Sequence, residues 1–283
     1  MNPHSDNLTT TPDGRNALRM ERRLAHPPAK VWSAITDPAH IGQWFPSEVT
    51  VELRPGGAMT FAMPGVSDIA MSGTVTDAEE PRLFAFTWGE DHLRWEITPD
   101  GDGSLLILVH TFGDRFGGAS FASGWHLCLT ALSQLLDGDS PHVERDTGEL
   151  HEAYLEQFDL GRGMVEDTAD GPRVRFERQL VRSTETVWAA LTSGDEPAAG
   201  APAPAGFTSR LAPAGPVTEV AAPAVLAYRW HPEGTVRWEL GQGTGHGPRL
   251  VLTQTGPQGF DTGAALDAWH QRIEQLAAQL RAD

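Results

Sequence analysis

Cysteine, lysine and long apolar runs are almost missing from this chain of 283 residues. The one cysteine, Cys128, rules out an intramolecular disulfide and any multi-cysteine metal site. Placed on an apolar stripe, it reads as a buried, inert thiol. Lys30 is the only lysine, and 21 basic residues stand against 38 acidic ones, a formal charge of -17. A surface of that sign repels phosphate, so neither nucleic acid nor an anionic membrane is expected as a partner, and neutral or cationic small molecules suit it better. No apolar run reaches bilayer length, and the opening MNPHSDNLTTTPDGRN lacks the charged start and apolar centre of a secretion signal. The expectation is a cytoplasmic protein with residues 1–16 as a disordered tail. The histidines show no HxxxH spacing and no carboxylate-rich calcium loop is present, so no metal and no cofactor is expected.

What the chain does have is aromatic and apolar bulk, with nine Trp, eleven Phe and 40% hydrophobic residues, enough for the cores of two domains. Its organising stretch is ASFASGWHLCLTALSQLLD, residues 119–137, with a stop at Gly138. Phe121, Trp125, Cys128, Leu132 and Leu135 recur at helical spacing and draw one apolar stripe that needs a partner surface. A second helix of the same design, residues 264–280, carries Leu266, Trp269, Ile273, Leu276 and Leu280.

Between Leu18 and Phe112 the sequence reads mostly as short strands separated by turn signals such as Arg54-Pro55-Gly56-Gly57, which suggests an antiparallel meander. Two short helices interrupt it, one burying Val31, Trp32 and Ile35, the next capped by Asp37-Pro38 and closed by Trp44-Phe45. Alternation puts Phe84, Phe86 and Trp88 on one side of a strand, Trp95 and Ile97 on one side of the next, and Leu106, Leu108, His110 and Phe112 on one side of the last. These sides should face the long helix. The other side of the last strand shows Leu105, Ile107 and Val109, which predicts cover by a second domain or a second chain.

The unit then repeats. Trp188 aligns with Trp32 (188 − 32 = 156), Trp230 with Trp88 (230 − 88 = 142) and Trp269 with Trp125 (269 − 125 = 144). The shorter offset means that the second copy lacks the Trp44-Phe45 helix and the following hairpins, with the Pro/Ala/Gly loop SGDEPAAGAPAPAG in their place. The expected domains are residues 17–138, a linker with one short helix over 139–172, and a truncated copy over 173–283.

HPPAKVWSAITDPAHIGQW, RPGG, EPRLFAFTW, LILVHTF and GWHLCLTALSQL together resemble the AHSA1-like branch of the START/Bet v 1 (SRPBCC) superfamily, over Leu18 to Leu136. The second copy keeps VWAALT, PAVLAYRW and AWHQRIEQL but lacks RPGG and a counterpart of Trp44, and so resembles a degenerate member. The resemblance implies an α+β chain of two tandem helix-grip domains, each a curved antiparallel sheet around a long C-terminal helix with a cavity between them. It also implies a choice of functions: binding of lipids, hormones or polyketides, protection of antibiotic producers, aromatase/cyclase activity, or activation of the Hsp90 ATPase.

The first domain is the better binding candidate, with Trp44, Phe61, Met63, Met71, Phe84, Phe86, Trp88, Trp95, Leu108, His110, Phe112, Phe121 and Trp125 as candidate lining. Core filling is the plain alternative for the same residues. Arg94 and Arg115 would add polar groups if either turned inward. His110 alone is a candidate for proton transfer, and a buried hydrogen-bonded histidine is the competing reading. No serine sits in a nucleophile elbow. The leading expectation is sequestration, self-resistance or transport of a hydrophobic, aromatic or polyketide-like molecule, with a polyketide aromatase/cyclase as the alternative and an Hsp90-associated role behind it.

Overall fold

The computed structural model describes residues 6–62, 70–142, 147–168, 171–245 and 247–282. Residues 1–118 and 122–147 form one compact unit, and residues 119–121 with 148–283 form the other.

The first domain runs β1 (Asn7–Thr10), β2 (Asn16–Leu24), α1 (Pro28–Thr36), α2 (Pro38–Ile41), β3 (Glu48–Val51), β4 (Ala58–Ala62), β5 (Met71–Glu79), β6 (Leu83–Trp88), β7 (Asp91–Asp100), β8 (Gly103–Phe112) and α3 (Gly118–Asp137). Its strands make one antiparallel sheet in the order β1-β2-β8-β7-β6-β5-β4-β3. Register aligns the inward positions in rows: Leu18 and Leu93 flank His110, Met20 and Trp95 flank Leu108, and Arg22 and Ile97 flank Leu106. All but Arg22 are apolar or aromatic around one histidine, and all are buried. The RPGG turn needs both glycines: Gly56 has φ of 76°, and a Cβ at Gly57 would lie 2.0 Å from the Glu52 carbonyl oxygen.

Helix α3 buries Ala122, Trp125, Leu129, Leu132 and Leu136. That line runs one residue on from the expected stripe at three of its five places, and Phe121, Cys128 and Leu135 are only half-buried. The small side chains at Ala119 and Ala122 sit on the buried line in place of Phe121. Desolvation still holds the Cys128 thiol protonated, with its pKa pushed up to about 12. The helix stops at Gly138, whose φ of 88° is the left-handed cap conformation. Lys30 Nζ donates to the Leu136 carbonyl at 2.5 Å, placing a cation at the negative end of α3.

Residues 7–10 of the expected tail are instead a strand of the sheet, and residues 1–5 lie outside the described residues. β1 pairs with β2 from Asn7↔Arg19 to Thr10↔Asn16, and Asp6 is buried. The cause is Arg22 on the inward side of β2: Asp6 Oδ1 and Oδ2 accept from its guanidinium at 2.7 and 3.0 Å. A guanidinium with 5% of its side chain exposed needs a carboxylate, and the segment before β2 supplies it.

The row Leu105, Ile107, Val109 is flanked in register by Arg23, Glu21 and Arg19 on β2 and by Thr98, Glu96 and Arg94 on β7. Arg19 pairs with Glu21 and Arg94 with Glu96. The stems of such side chains can cover apolar surface, and in this row Ile107 is buried while Leu105 and Val109 are half-buried.

The second domain comprises α4 (Gly148–Gln157), β9 (Met164–Thr168), β10 (Gly171–Gln179), α5 (Thr184–Thr192), β11 (Val217–Ala221), β12 (Val225–His231), β13 (Gly234–Gly241), β14 (Arg249–Thr255) and α6 (Thr262–Ala282). The sheet order is β11-β12-β13-β14-β10-β9. Much of the expected linker thus belongs to this domain. β9 is its edge strand, paired with β10, and α4 buries His151, Tyr154 and Leu155. The Pro/Ala/Gly loop replaces two strands and inserts Phe207, fully buried, between Trp188 and Trp238 at ring distances of 5.3 and 5.6 Å.

Arg178, at the position that aligns with Arg22 (178 − 22 = 156), is buried in the same way. Here the acids come from helices: Glu152 of α4 accepts from it at 2.6 and 2.7 Å, and Glu274 of α6 at 2.7 Å. Burial pushes the Glu152 carboxyl up, but the nearby His151 ring, 3.6 Å away, and the charge and hydrogen bonds of Arg178 outweigh it and hold the pKa at about 2.

Two outcomes follow for urea unfolding. Asp6→Ala leaves a buried guanidinium unmatched and should destabilise the first domain by about 3–5 kcal/mol, while Asp6→Leu combined with Arg22→Met should recover most of that loss. For Glu152 the folded pKa lies below the ordinary 4.5, so its contribution is complete above about pH 4.5 and fades as pH falls toward 2. Glu152→Gln should flatten that acid limb of the second domain's stability.

Candidate functional site

Asp37 caps α2 by accepting from the Ala39 amide at 2.9 Å, and the chain then leaves the helix so that Trp44 and Phe45 turn in under the sheet. Trp44 is pinned by donating from Nε1 to the Ala34 carbonyl at 2.9 Å. Phe45 is the hub of what they join. Its ring lies 5.9 Å from Phe61, 6.5 Å from Phe86, 5.9 Å from Trp88 and 5.7 Å from Trp125. Trp95 extends the cluster, 5.5 Å from Trp44 and 5.7 Å from Trp125. Edge-on and tilted contacts dominate, the geometries favoured by ring quadrupoles.

The polar element is a three-residue chain. Trp125 Nε1 donates to His110 Nδ1 at 3.1 Å, and His110 Nε2 lies 3.0 Å from Asp91 Oδ2. Because Nδ1 accepts, the neutral ring carries its proton on Nε2 and donates to Asp91. Burial lowers the His110 pKa, against a weaker opposing pull from Asp91. Protonating Nδ1 would set two donors against each other at Trp125.

Most sequence-predicted lining residues meet here. Phe61, Phe84, Phe86, Trp88, Trp95, Leu108, His110, Phe112 and Trp125 all belong to the inward face or to α3, and Trp44 joins from the α2 exit. Met71 is half-buried beside Phe61 in register. Phe121 is half-buried off the main line of α3, and Met63 lies outside the described residues. Arg94 turns outward to Glu96 and Arg115 is exposed, so neither supplies the polar groups suggested for them.

Sequence reasoning missed Phe45 and Asp91. Asp91 had a readable signal, since it continues the inward alternation of Leu93, Trp95 and Ile97. Phe45 had none beyond its neighbour, because loop residues carry no periodicity.

Between Ile35, Ile41, Trp44, Phe45, Phe61 and Trp95 the free volume is about 10 Å³. That is at most the space of one water, so among the described residues the protein's own rings fill this part of the interior.

A curved sheet gripping a long C-terminal helix, twice in one chain, defines a tandem helix-grip protein. The family model described as "Activator of Hsp90 ATPase homolog 1-like protein" matches residues 25–137, so this stretch of the first domain is similar to that family. No curated protein matches the chain. Among solved structures it is similar to CalU16 from Micromonospora echinospora, at 28% identity over 54% of this chain and 93% of that one, with a TM-score of 0.45. It is similar also to a conserved protein of unknown function, EF2215 from Enterococcus faecalis, at 21% identity over 55% of this chain and 91% of that one, TM-score 0.47.

The buried imidazole makes stability sensitive to pH near neutrality. Its folded pKa lies below the ordinary 6.5, so the unfolded chain takes up the proton first as pH falls; the contribution is complete above about pH 6.5 and is lost below it. His110→Gln keeps an acceptor for Trp125, as Gln254 does for Trp269 at 2.6 Å in the second domain. Urea midpoints between pH 8 and pH 5 should therefore fall less steeply in that variant than in the wild type.

Proposed function

We propose that the first domain binds a hydrophobic, aromatic or polyketide-like small molecule, serving sequestration, self-resistance or transport in bacterial specialised metabolism. The observation that carries this reading is the position of Phe45. Its ring touches Phe61, Phe86, Trp88 and Trp125, yet it hangs from the short segment after α2 and belongs neither to the sheet nor to α3. A planar ligand that displaces it meets the same aromatic surface that Phe45 meets. The free protein thus holds a side chain where the ligand would lie, and binding is an exchange of one ring for another.

The aromatase/cyclase alternative has less support. Both ring nitrogens of His110 are engaged, Nδ1 by Trp125 and Nε2 by Asp91, which leaves no lone pair or proton facing a substrate.

The test uses the full chain titrated with aromatic polyketides. Quenched tryptophan emission and a raised melting temperature are expected, since a ligand that binds only the folded state stabilises it. If a panel of such compounds alters neither, the reading fails. Phe45→Ala sharpens the test: it should cost about 3–5 kcal/mol in the absence of ligand, and naphthalene should restore part of the lost stability by filling the space.

A further inference from the structure

The Trp88 indole is the one aromatic of the cluster whose polar atom is stranded. Its Nε1 is buried and finds no hydrogen-bond partner among the described residues. By contrast Trp44 Nε1 donates to Ala34 and Trp125 Nε1 to His110. A buried N–H without an acceptor is expensive and uncommon in folded proteins.

The second domain shows what the position does when it is purely structural. Trp230, the counterpart of Trp88, donates from Nε1 to the Thr255 carbonyl at 2.8 Å, and Phe260 packs at 6.3 Å from its ring. The copy with the shortened sheet has its indole satisfied by its own backbone. The copy with the Phe45 cluster has not, and its indole sits 5.9 Å from the Phe45 ring and 5.9 Å from Trp125.

We infer that the Trp88 Nε1–H is the group that reads the ligand: the occupant of the Phe45 site is a planar aromatic molecule bearing a ring-conjugated carbonyl or similar oxygen acceptor, which takes the hydrogen bond the free protein leaves unmade. This rests on the small-molecule reading above and narrows it to oxygenated rings. Phe45 offers Trp88 only a hydrocarbon ring, so exchanging it for an oxygenated one adds an interaction that plain aromatic ligands cannot add. Trp44 and Trp125 already donate elsewhere, and among the described residues Trp88 is the indole of the cluster whose Nε1 is fully buried without an acceptor.

The experiment compares two probes of nearly equal shape, 9-fluorenone with its carbonyl and fluorene without, by equilibrium dialysis against the full chain and its Trp88→Phe variant. Removing the N–H while keeping an aromatic ring should weaken fluorenone by roughly 5- to 100-fold and leave fluorene almost unchanged. An equal effect on both probes, or on neither, overturns the role of Trp88 while leaving small-molecule binding intact. Failure of the wild type to bind either probe overturns the binding reading and this inference with it. Should Trp88→Phe fold poorly, the indole N–H resonances of the wild type decide: fluorenone should move the Trp88 signal downfield and slow its exchange with solvent, and fluorene should do neither. A Trp88 signal that responds alike to both probes refutes the assignment.

Discussion

A buried guanidinium at one inward position of the first long strand is the constraint to which much of each domain answers. Arg22 and Arg178 occupy matching places, and both are almost wholly removed from water. Neither can stay there unmatched, because the desolvation of a cation in an apolar interior is met only by close carboxylates. The two domains solve this with different parts. In the first, Asp6 is held against β2, which carries β1 into the sheet beside it. In the second, α4 and α6 each bring a glutamate, so the same charge ties a helix before the sheet to the helix that ends the chain. One charge at one position thus accounts for the docking of different elements in the two copies.

The repeated architecture was readable because it rests on periodicity. Alternation along β6, β7 and β8 named the residues that line the inner face, and helical spacing located α3 and α6. What was not readable depends on partners distant in sequence. Nothing in NLTT or MVEDT marks a strand; β1 and β9 form because a neighbouring strand offers an open edge, with Asp6 anchoring the first. The phase of α3 was displaced by a residue at several places because apolar spacing counts size and ignores closeness. Ala119 and Ala122 are buried although small, while the larger Phe121 is only half-buried. Of the site, the sheet-borne aromatics were legible and Phe45 was not, since a residue delivered by a loop is placed by the tertiary structure alone.

The two copies also show how one framework settles into different roles. Where the first domain fills its interior with the loop-borne Phe45, the second uses Phe207, itself locked because its carbonyl accepts from Trp238 Nε1 at 3.0 Å. Gln254 stands where His110 stands, and Trp230 is satisfied by backbone where Trp88 finds no partner among the described residues. The Trp230 and Phe207 contacts make those two positions of the second domain self-contained, while Gln254 leaves its Nε2 buried without a partner among the described residues.

The crowding of indoles has an optical consequence. In the first domain Trp44–Trp95, Trp95–Trp125 and Trp88–Trp125 form an unbroken chain of ring pairs 5.5, 5.7 and 5.9 Å apart, whereas the second offers one close pair, Trp238–Trp269, at 5.8 Å. Transition dipoles at such separations couple, so the near-ultraviolet dichroism of the whole protein is weighted toward the first domain. A melt followed at those wavelengths reports chiefly on the aromatic cluster, while far-ultraviolet signals count both sheets, and comparing the two separates the domains without cutting the chain.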